Sequence, residues 1–237
     1  MKTVLRDYQR DALSAFLKEG KGTLQIFPGG GKSLIASAAV SQLYNEGHIS
    51  KAIVIVPTLD LRRQWEGVLD AEGLHGIVDQ MTYAKAARLV DDETFWLKYQ
   101  FIIFDESHHL AQGEVYRRLL LPAFQARYAL GLSATPPTDP ENLSLQVLPV
   151  VYTRTFAEGQ ADGHAAPVEI IPIPIELTDL ERREYDRLTG EIRDVIRQKG
   201  SLEKAVAWRG DLFTKRKALV AGASSKFPRF TDLISQI

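Results

Sequence analysis

Hydrophobic residues follow two different spacings along this chain, and each spacing predicts one kind of element. Continuous apolar runs over 23–27, 52–56, 101–104 and 128–132 are typical of strands that are buried on both faces of a parallel sheet. Between these runs, apolar residues recur every three or four positions, which predicts amphipathic helices. Buried strands that alternate with helices predict a doubly wound α/β sheet.

Other segments give shorter or less regular patterns. A helix is predicted to begin near Leu5, and a helix is also predicted over 60–69 after the second buried run. Further strands are predicted over 76–83, 150–154 and 168–177, with a loop over 159–166 before the last of them.

The spacing changes at Thr178, where a long helical pattern begins. Thr178 and Glu181 form the pair of a capping box, and the apolar residues that follow mark a long amphipathic helix. Gly200 interrupts the pattern, a second helix is predicted from Leu202 to about Ala221, and another begins at Lys226. The sequence therefore predicts a helical extension after the sheet.

Composition limits the classes of protein that this chain can represent. With 237 residues, 45% of them hydrophobic, it can bury a full core. No apolar run approaches the ~20 residues of a membrane span, and Met1–Arg6 lacks the apolar stretch of a signal peptide, so no membrane partner is expected. Cysteine is absent, which excludes disulfides and cysteine-ligated zinc. The net charge of −1 neither supports nor excludes a nucleic-acid partner.

A glycine-rich segment follows the first apolar run. Glycine permits the backbone angles with which several N–H groups surround a polyphosphate, and the helix predicted after it would place a positive dipole end there. Lys32 would lie near the β and γ oxygens of ATP, with the Ser33 hydroxyl on Mg²⁺. The segment reads Phe27, Pro28, Gly29, Gly30, Gly31, Lys32, Ser33.

The glycine segment departs from the strict phosphate-loop pattern. That pattern, G-x-x-x-x-G-K-[ST], places glycine at position 26, where this chain has Ile26. A glycine-rich turn beside an exposed lysine is therefore the alternative interpretation of this segment alone.

Two carboxylates, Asp105 and Glu106, end the apolar run over 101–104. The carboxyl ends of parallel strands are where open α/β sheets bind ligands, beside the loop of the first strand. Asp105 is a candidate Mg²⁺ ligand, and Glu106 is a candidate to orient the water that attacks the γ-phosphate. An acidic N-cap of the next helix is the alternative.

Two further pairs of polar residues have a functional and an ordinary interpretation. Arg6 and Gln9 lie three positions apart, and a glutamine amide can read the N6 and N7 edge of adenine, although both residues also suit an ordinary surface. Thr58, after the second strand, could donate to a phosphate with help from Arg62 or Arg63, or it could be a helix N-cap.

Together these segments resemble the first RecA-like domain of superfamily 2 helicases and translocases. Leu5–Gln9 is similar to the adenine-reading motif, Ile26–Ser33 to motif I, Asp105–His108 to a DExH motif II and Ser133–Thr135 to motif III. In this superfamily motif I does not require glycine at position 26. Leu5–Gln9, together with residues 131–136 and 158–170, resembles the group of XPB-type, UvsW-type and restriction-enzyme helicases.

The resemblance implies a fold, cofactors and site residues. The expected fold is a RecA-like P-loop NTPase domain with a mostly parallel sheet flanked by helices and followed by a helical extension. The expected cofactors are ATP and Mg²⁺. The implied coupling residues are His108, Ser133 and Thr135, for which helix capping and packing at the edge of the core are the alternative. The implied nucleic-acid contacts are Pro57, Thr58, Arg62, Thr82 and Tyr83.

The resemblance also implies a domain plan with a missing partner. Residues 1–177 would be the ATP-binding domain, 178–222 the helical extension and 223–237 the start of a second RecA-like domain, in cis or as a separate chain. The short interval between Pro57 and Thr82 puts part of the nucleic-acid track in doubt.

Three functions are compatible with this plan. The first is a motor on single-stranded or branched DNA, located in the cytoplasm, or in the nucleus of a eukaryote, with little activity by itself. The second is a regulatory module that binds nucleotide or nucleic acid without motor activity, and the third is a motor on RNA or in restriction.

Overall fold

The computed structural model describes residues 4–167 and 174–234, except for the side chains of 203, 229 and 232–234. Within it the chain forms two compact units, Met1–Pro167 and Val168–Ile237. The predicted boundaries at 177 and 222 stay predictions. In the described residues no helix is long and apolar enough to cross a membrane.

The first unit is built on a six-stranded sheet in which all pairs of neighbouring strands are parallel. The strand order is β3-β2-β4-β5-β1-β6. This confirms the predicted α/β class and shows that the described sheet is entirely parallel. The strands are β1 (Lys21–Ile26), β2 (Ala52–Val56), β3 (Val78–Thr82), β4 (Phe101–Asp105), β5 (Tyr128–Ser133) and β6 (Val150–Arg154).

Helices cover both faces of this sheet. Since alternate side chains of a strand point to opposite faces, β2 and β4 contribute to two separate hydrophobic clusters, one containing Val54 and Ile103 and the other Ile53 and Ile102. The helices are α1 (Asp7–Glu19), α2 (Lys32–Asn45), α3 (Leu59–Glu72), α4 (Tyr83–Arg88), α5 (Glu93–Trp96), α6 (Glu114–Arg117), α7 (Leu120–Gln125), α8 (Leu143–Val147) and α9 (Phe156–Ala161), with a 3₁₀ turn at Ser107–Ala111.

The strand order brings three chain segments together. β4, β5 and β1 are adjacent and parallel, so their carboxyl ends lie at one edge of the sheet. Asp105 pairs in register with Leu132, and Ser133 pairs with Gln25. The glycine segment after β1 therefore lies beside the segments that follow β4 and β5.

The structure corrects two predictions near the end of the first unit. Helix α9 occupies Phe156–Ala161, so the predicted loop over 159–166 begins inside a helix. Thr155 and Glu158 form a capping box, a helix-start pattern that the sequence analysis missed. Of the strand predicted over 168–177, residues 168–173 lie outside the described residues, and 174–177 are not in a strand.

The second unit is helical, with α10 (Asp179–Lys199), α11 (Leu202–Ala221) and α12 (Lys226–Ile234). The predicted capping box is present, since the Thr178 hydroxyl accepts from the Glu181 N–H and the Glu181 carboxylate accepts from the Thr178 N–H. Gly200 ends α10 at φ 75°, a conformation that favours glycine. The helical extension predicted from the sequence is therefore confirmed.

Candidate nucleotide and nucleic-acid site

The glycine segment forms a loop that opens onto the start of α2. Gly29 has φ 80° and Gly31 has φ 79°, backbone angles at which a side chain is strained. Gly31 is the N-cap of α2 and makes no side-chain capping hydrogen bond. The first N–H groups of a 14-residue helix are therefore directed into the loop, which is the arrangement that binds phosphate.

Ile26 explains the departure from the strict phosphate-loop pattern. Its side chain is fully buried, and a Cβ atom on Gly30 would lie 2.5 Å from Ile26 Cγ2. The loop therefore packs on Ile26 and needs glycine at position 30 instead of position 26. The Lys32 ammonium donates to the Ile26 carbonyl at 3.1 Å, which holds the lysine beside the loop.

The motif near the amino terminus supports this loop. Gln9 is 4% exposed, accepts from the Arg6 N–H at 2.9 Å and donates to the Gly30 carbonyl at 3.1 Å. Tyr8 donates to the same carbonyl at 2.8 Å. Gln9 is thus not an ordinary surface residue, whereas Arg6 is exposed as the N-cap of α1. The second N–H of the Gln9 amide is directed to the Tyr8 hydroxyl at 3.5 Å, so one lone pair of its oxygen remains for a base.

A cavity of about 540 Å³ adjoins this motif. The Arg154 guanidinium lies 5.4 Å from the centre of the Tyr8 ring and forms an ion pair with Asp162. Arg154 Nε and His164 Nδ1 are buried without a hydrogen-bond partner. Arg154, Asp162 and His164 were not predicted from the sequence, although Arg154 ends a strand at the ligand-binding edge of the sheet. The lining residues are Arg6, Asp7, Tyr8, Asp11, Arg154, Asp162 and His164.

The two carboxylates of motif II have different environments. Asp105 is 8% exposed, and its carboxylate accepts from the Trp65 indole at 2.8 Å and from the Glu106 N–H at 3.1 Å. Burial raises the pKa of Asp105, and the hydrogen bond from Trp65 opposes this shift. Glu106 has φ 50°, the one positive φ outside glycine in the described chain. Such strain is concentrated at functional sites. Glu106 is the N-cap residue of the 3₁₀ turn but makes no side-chain capping hydrogen bond, so capping does not account for its carboxylate.

The implied coupling residues form a connected set. His108 Nδ1 lies 3.3 Å from Ser133 Oγ and 3.3 Å from a Glu106 carboxylate oxygen. Ser133 Oγ also accepts from the Thr135 N–H at 3.1 Å. Burial and the neighbouring His109 lower the pKa of His108, while Glu106 opposes the shift. The set links motif II to the end of β5.

The candidate nucleic-acid residues lie after β2 and β3, which are neighbours. The Thr58 hydroxyl caps α3 by accepting from the Leu61 N–H at 3.2 Å, and the Thr82 hydroxyl caps α4 by accepting from the Lys85 N–H at 3.3 Å. Each hydroxyl keeps its own O–H as a donor for a phosphate, so capping and binding are compatible. Pro57 and Arg62 lie beside Thr58, at the end of β2 and in the first turn of α3.

Tyr83 does not fit the role that the resemblance implied. Its side chain is 1% exposed, and its hydroxyl donates to the Asp105 carbonyl at 3.1 Å. A buried ring cannot contact a bound strand, so the prediction of direct nucleic-acid contact by Tyr83 is wrong. Tyr83 instead lies beneath motif II.

The residues of this site fit Mg²⁺ bound together with a nucleotide. Among the described residues no group of three or more His, Asp or Glu side chains could hold a metal ion. Mg²⁺ in nucleotide sites uses one or two carboxylates and takes its other ligands from phosphates and waters. Asp105, with Ser33 at the start of α2, matches that requirement.

The fold and the site define a RecA-like P-loop domain of the superfamily 2 helicase type. Residues 2–85 and 75–138 match the family described as type III restriction enzyme, res subunit. This match covers more than half of the chain, so the chain belongs to that family.

A relative and two solved structures agree with this assignment. DNA 3'-5' translocase XPB2 of Sulfurisphaera tokodaii is 31% identical over 218 residues, which cover 84% of this chain and 46% of that protein. The chain therefore spans less than half the length of this relative.

The solved structures share the fold. The Sulfolobus solfataricus SWI2/SNF2 ATPase core in complex with dsDNA has a TM-score of 0.54 and 19% identity, covering 99% of this chain and 64% of that chain. The UvsW helicase from bacteriophage T4 has a TM-score of 0.53 and 20% identity, covering 63% of this chain and 59% of that chain. The family match and the relative confirm the predicted resemblance, and the solved structures confirm its fold.

Proposed function

We propose that this chain is the ATP-binding motor domain of an ATP-dependent DNA helicase or translocase. The observation that carries the proposal is that three groups of residues meet at the carboxyl ends of β1, β4 and β5. They are the loop at 29–33, the carboxylates of Asp105 and Glu106, and the set formed by His108, Ser133 and Thr135. This arrangement supports nucleotide binding, water activation and a connection to a second ligand at one edge of the sheet.

The side chains divide the chemistry of ATP hydrolysis among them. Lys32 leaves the Ile26 carbonyl, 3.1 Å away, for the β and γ oxygens of ATP. Ser33 and Asp105 would hold Mg²⁺, and this ion would supply charge neutralisation at the phosphate oxygens. Glu106, whose backbone is in the αL region directly after β4, orients the water that attacks the γ-phosphate.

The nucleotide base occupies the cavity beside Tyr8, which Arg6 lines, while Gln9 lies next to it and contacts the Tyr8 hydroxyl. Gln9 connects the base to the phosphate loop, because its side-chain amide also donates to the Gly30 carbonyl. Pro28 and the three glycines complete the wall on the phosphate side.

DNA is the proposed polymer. The relative from S. tokodaii is named a DNA translocase, and the structure from S. solfataricus contains dsDNA. On this chain the DNA backbone would be contacted by Pro57, Thr58, Arg62 and Thr82, because the two threonine hydroxyls and the arginine donate to phosphate. We place this function in the compartment that holds the DNA, the cytoplasm of a prokaryote or the nucleus of a eukaryote.

A second RecA-like domain, in the same chain or in a separate one, is the proposed partner. It would supply arginines to the γ-phosphate from across a cleft, and such a residue contributes about 10³ to 10⁵ in rate. This chain alone is therefore expected to bind Mg²⁺–ATP and to hydrolyse it slowly.

Nucleotide binding tests the first part of the proposal. A fluorescent ATP analogue is titrated with the wild-type chain, with Lys32→Ala and with the control Lys18→Ala, an exposed lysine in the last turn of α1. Loss of one charged hydrogen bond to phosphate, about 1.5–3 kcal/mol, is expected to weaken binding by roughly 10- to 100-fold in Lys32→Ala alone. Equal affinity of all three proteins would contradict the phosphate-binding role.

Hydrolysis separates a motor from a regulatory module. DNA, RNA and no polymer are compared as activators of ATP turnover by the protein together with its second RecA-like domain. Stimulation by DNA that Glu106→Gln abolishes, with nucleotide binding retained, supports the DNA motor. Stimulation by RNA reassigns the polymer, and nucleotide binding without turnover favours the module.

A further inference from the structure

Asp105 is held by two aromatic side chains that approach it from opposite faces of the sheet. The Trp65 indole N–H donates to Asp105 Oδ2 at 2.8 Å, and the Tyr83 hydroxyl donates to the Asp105 carbonyl at 3.1 Å. Trp65 belongs to the hydrophobic cluster on one face, and Tyr83 belongs to the cluster on the other. The carboxylate and the backbone carbonyl of Asp105 are therefore held by two different hydrogen bonds.

These two side chains come from the elements that carry the candidate DNA contacts. Trp65 lies in α3, whose N-cap is Thr58, and Tyr83 is the first residue of α4, whose N-cap is Thr82. From the start of α3 at Leu59 to Trp65 is less than two helical turns, or about 9 Å at 1.5 Å per residue. Each candidate phosphate contact is therefore joined to Asp105 by a short, regular piece of structure.

The rings of Trp65 and Tyr83 are held in place by dense packing. Trp65 is 2% exposed and Tyr83 is 1% exposed. The Tyr83 ring lies 6.3 Å from the Phe104 ring and 5.4 Å from the Tyr116 ring, measured between centroids. Since rings in a dense core do not change rotamer freely, a shift of either helix moves the attached donor with it.

Both the Trp65 indole and the Tyr83 hydroxyl act as hydrogen-bond donors to Asp105. An indole N–H donates and cannot accept, so it favours the ionised carboxylate of Asp105. Burial, with Asp105 and Glu106, raises the pKa of Tyr83 well above its ordinary value, so its hydroxyl keeps the proton that it donates.

We propose that Trp65 and Tyr83 are positioning residues that set the placement of Asp105 for Mg²⁺ and transmit to it the movement of α3 and α4 when DNA binds. The inference rests on the proposed function, since Asp105 is the proposed Mg²⁺ ligand. This route from DNA to the metal passes through α3 and α4 and uses neither His108 nor Ser133.

Matched variants remove each hydrogen bond while keeping the aromatic ring. They are Trp65→Phe and Tyr83→Phe. The chain supplies a control for each: Trp96 is 6% exposed and donates to the Leu89 carbonyl at 2.8 Å, and Tyr99 is 7% exposed and donates to Asp79 at 2.8 Å. Trp96→Phe and Tyr99→Phe therefore each remove one donor of a buried aromatic residue that is not bonded to Asp105.

The first readout is the Mg²⁺ concentration that half-saturates the enhancement of nucleotide binding. Loss of a hydrogen bond to a metal-binding carboxylate commonly costs 10- to 100-fold in metal affinity. We expect a rise of about tenfold in Trp65→Phe and a smaller rise in Tyr83→Phe, with Mg²⁺-free nucleotide affinity unchanged in both. A merely structural role would change the Mg²⁺-free affinity as well, or would affect the control variants equally.

The second readout uses the wild-type chain, in which all tryptophans are kept. The protein has three, so three indole N–H signals are expected in a ¹⁵N NMR spectrum, and Trp96→Phe and Trp208→Phe assign that of Trp65 by elimination. Mg²⁺ with ATP, and separately DNA, should each shift the Trp65 signal more than the Trp96 signal. No shift with either ligand overturns the inference, even if Trp65→Phe fails to fold.

The two proposals fail in different ways. Nucleotide binding by the wild-type chain that is independent of Mg²⁺ would contradict the proposed metal site itself. Mg²⁺-dependent binding in the wild type that Trp65→Phe and Tyr83→Phe leave unchanged would retain the site and remove the positioning role.

Discussion

His108 Nδ1 and Ser133 Oγ lie 3.3 Å apart, although His108 follows β4 and Ser133 is the last residue of β5. Ser133 is fully buried and also accepts from the Thr135 N–H. Its hydroxyl is therefore the point at which the end of β5 meets motif II. A ligand that moves either segment must change this contact.

The first prediction concerns Ser133→Ala. If the contact couples the two ligands, DNA changes nucleotide affinity by the same factor by which nucleotide changes DNA affinity, and the variant brings that factor closer to one. Nucleotide affinity is measured with and without saturating DNA. The control is Ser144→Ala, because Ser144 is also buried but bonds to Asn142 within its own turn. An unchanged factor in Ser133→Ala would assign the contact to packing.

The second prediction concerns Gly131, which leaves room for motif II. A Cβ atom there would lie 2.6 Å from Thr23 Oγ1 and 2.9 Å from Ser107 Oγ, and both of these side chains are buried. Thr23 Oγ1 also donates to the Leu148 carbonyl, so it cannot move without losing that bond. Gly131→Ala is therefore expected to reduce the free energy of unfolding by about 1–3 kcal/mol.

The control for Gly131→Ala lies in the interior of α3. A Cβ atom on Gly67 would meet no heavy atom within 4 Å, and alanine is favoured in a helix interior. Gly67→Ala should raise the free energy of unfolding by about 0.5–1 kcal/mol. Urea denaturation followed by circular dichroism measures both, and equal losses in the two variants would contradict the packing argument.

The third prediction concerns the pair of Ile26 and Gly30. Because a Cβ atom on Gly30 would lie 2.5 Å from Ile26 Cγ2, Gly30→Ala is expected to destabilise the protein by overpacking, at a cost of about 1–3 kcal/mol. Ile26→Ala removes Cγ2 and leaves a cavity, which costs about 2–5 kcal/mol. In the double variant the added methyl group occupies that space.

A double-mutant cycle tests the pair by urea denaturation. The loss in the double variant should be smaller than the sum of the single losses by about 1 kcal/mol or more, since the two positions touch. Additive losses would show that Ile26 does not determine the glycine at position 30.

The fourth prediction concerns the pH dependence of the helical unit. Backbone hydrogen bonds from Ser224 and Thr178 lower the pKa of Glu181 to about 2 from 4.5. The folded state therefore prefers the ionised form, so the contribution to stability is full above pH 4.5 and is lost as the pH falls towards about 2.

Thermal unfolding followed by circular dichroism at several pH values measures this contribution as the difference between the wild type and Glu181→Gln. The difference is expected to be constant above pH 4.5 and to shrink below it. Glu191→Gln, on the same helix, is the control. The same pH profile in both variants would show a general charge effect and not a contribution of the cap.

The sequence by itself determined the element types and the chemistry at their ends. The apolar runs that became β1, β2, β4 and β5 were predicted because a strand buried on both faces needs continuous hydrophobicity. The loop at 29–33 and the pair Asp105 and Glu106 were also predicted, because in each case the residues that define the site are consecutive in the sequence. The helix α9 was missed although its capping box is also local.

Only the tertiary structure decided which side chains meet. Trp65 and Asp105 are 40 positions apart, and Gln9 and Gly30 are 21 apart, so no local spacing encodes either contact. The contacts follow from the strand order and from dense packing of the two faces of the sheet. The same packing buries Tyr83, which a motif alone had placed at the surface. Spacing in the sequence fixes which way a side chain points within its element, whereas its partner depends on how the elements pack.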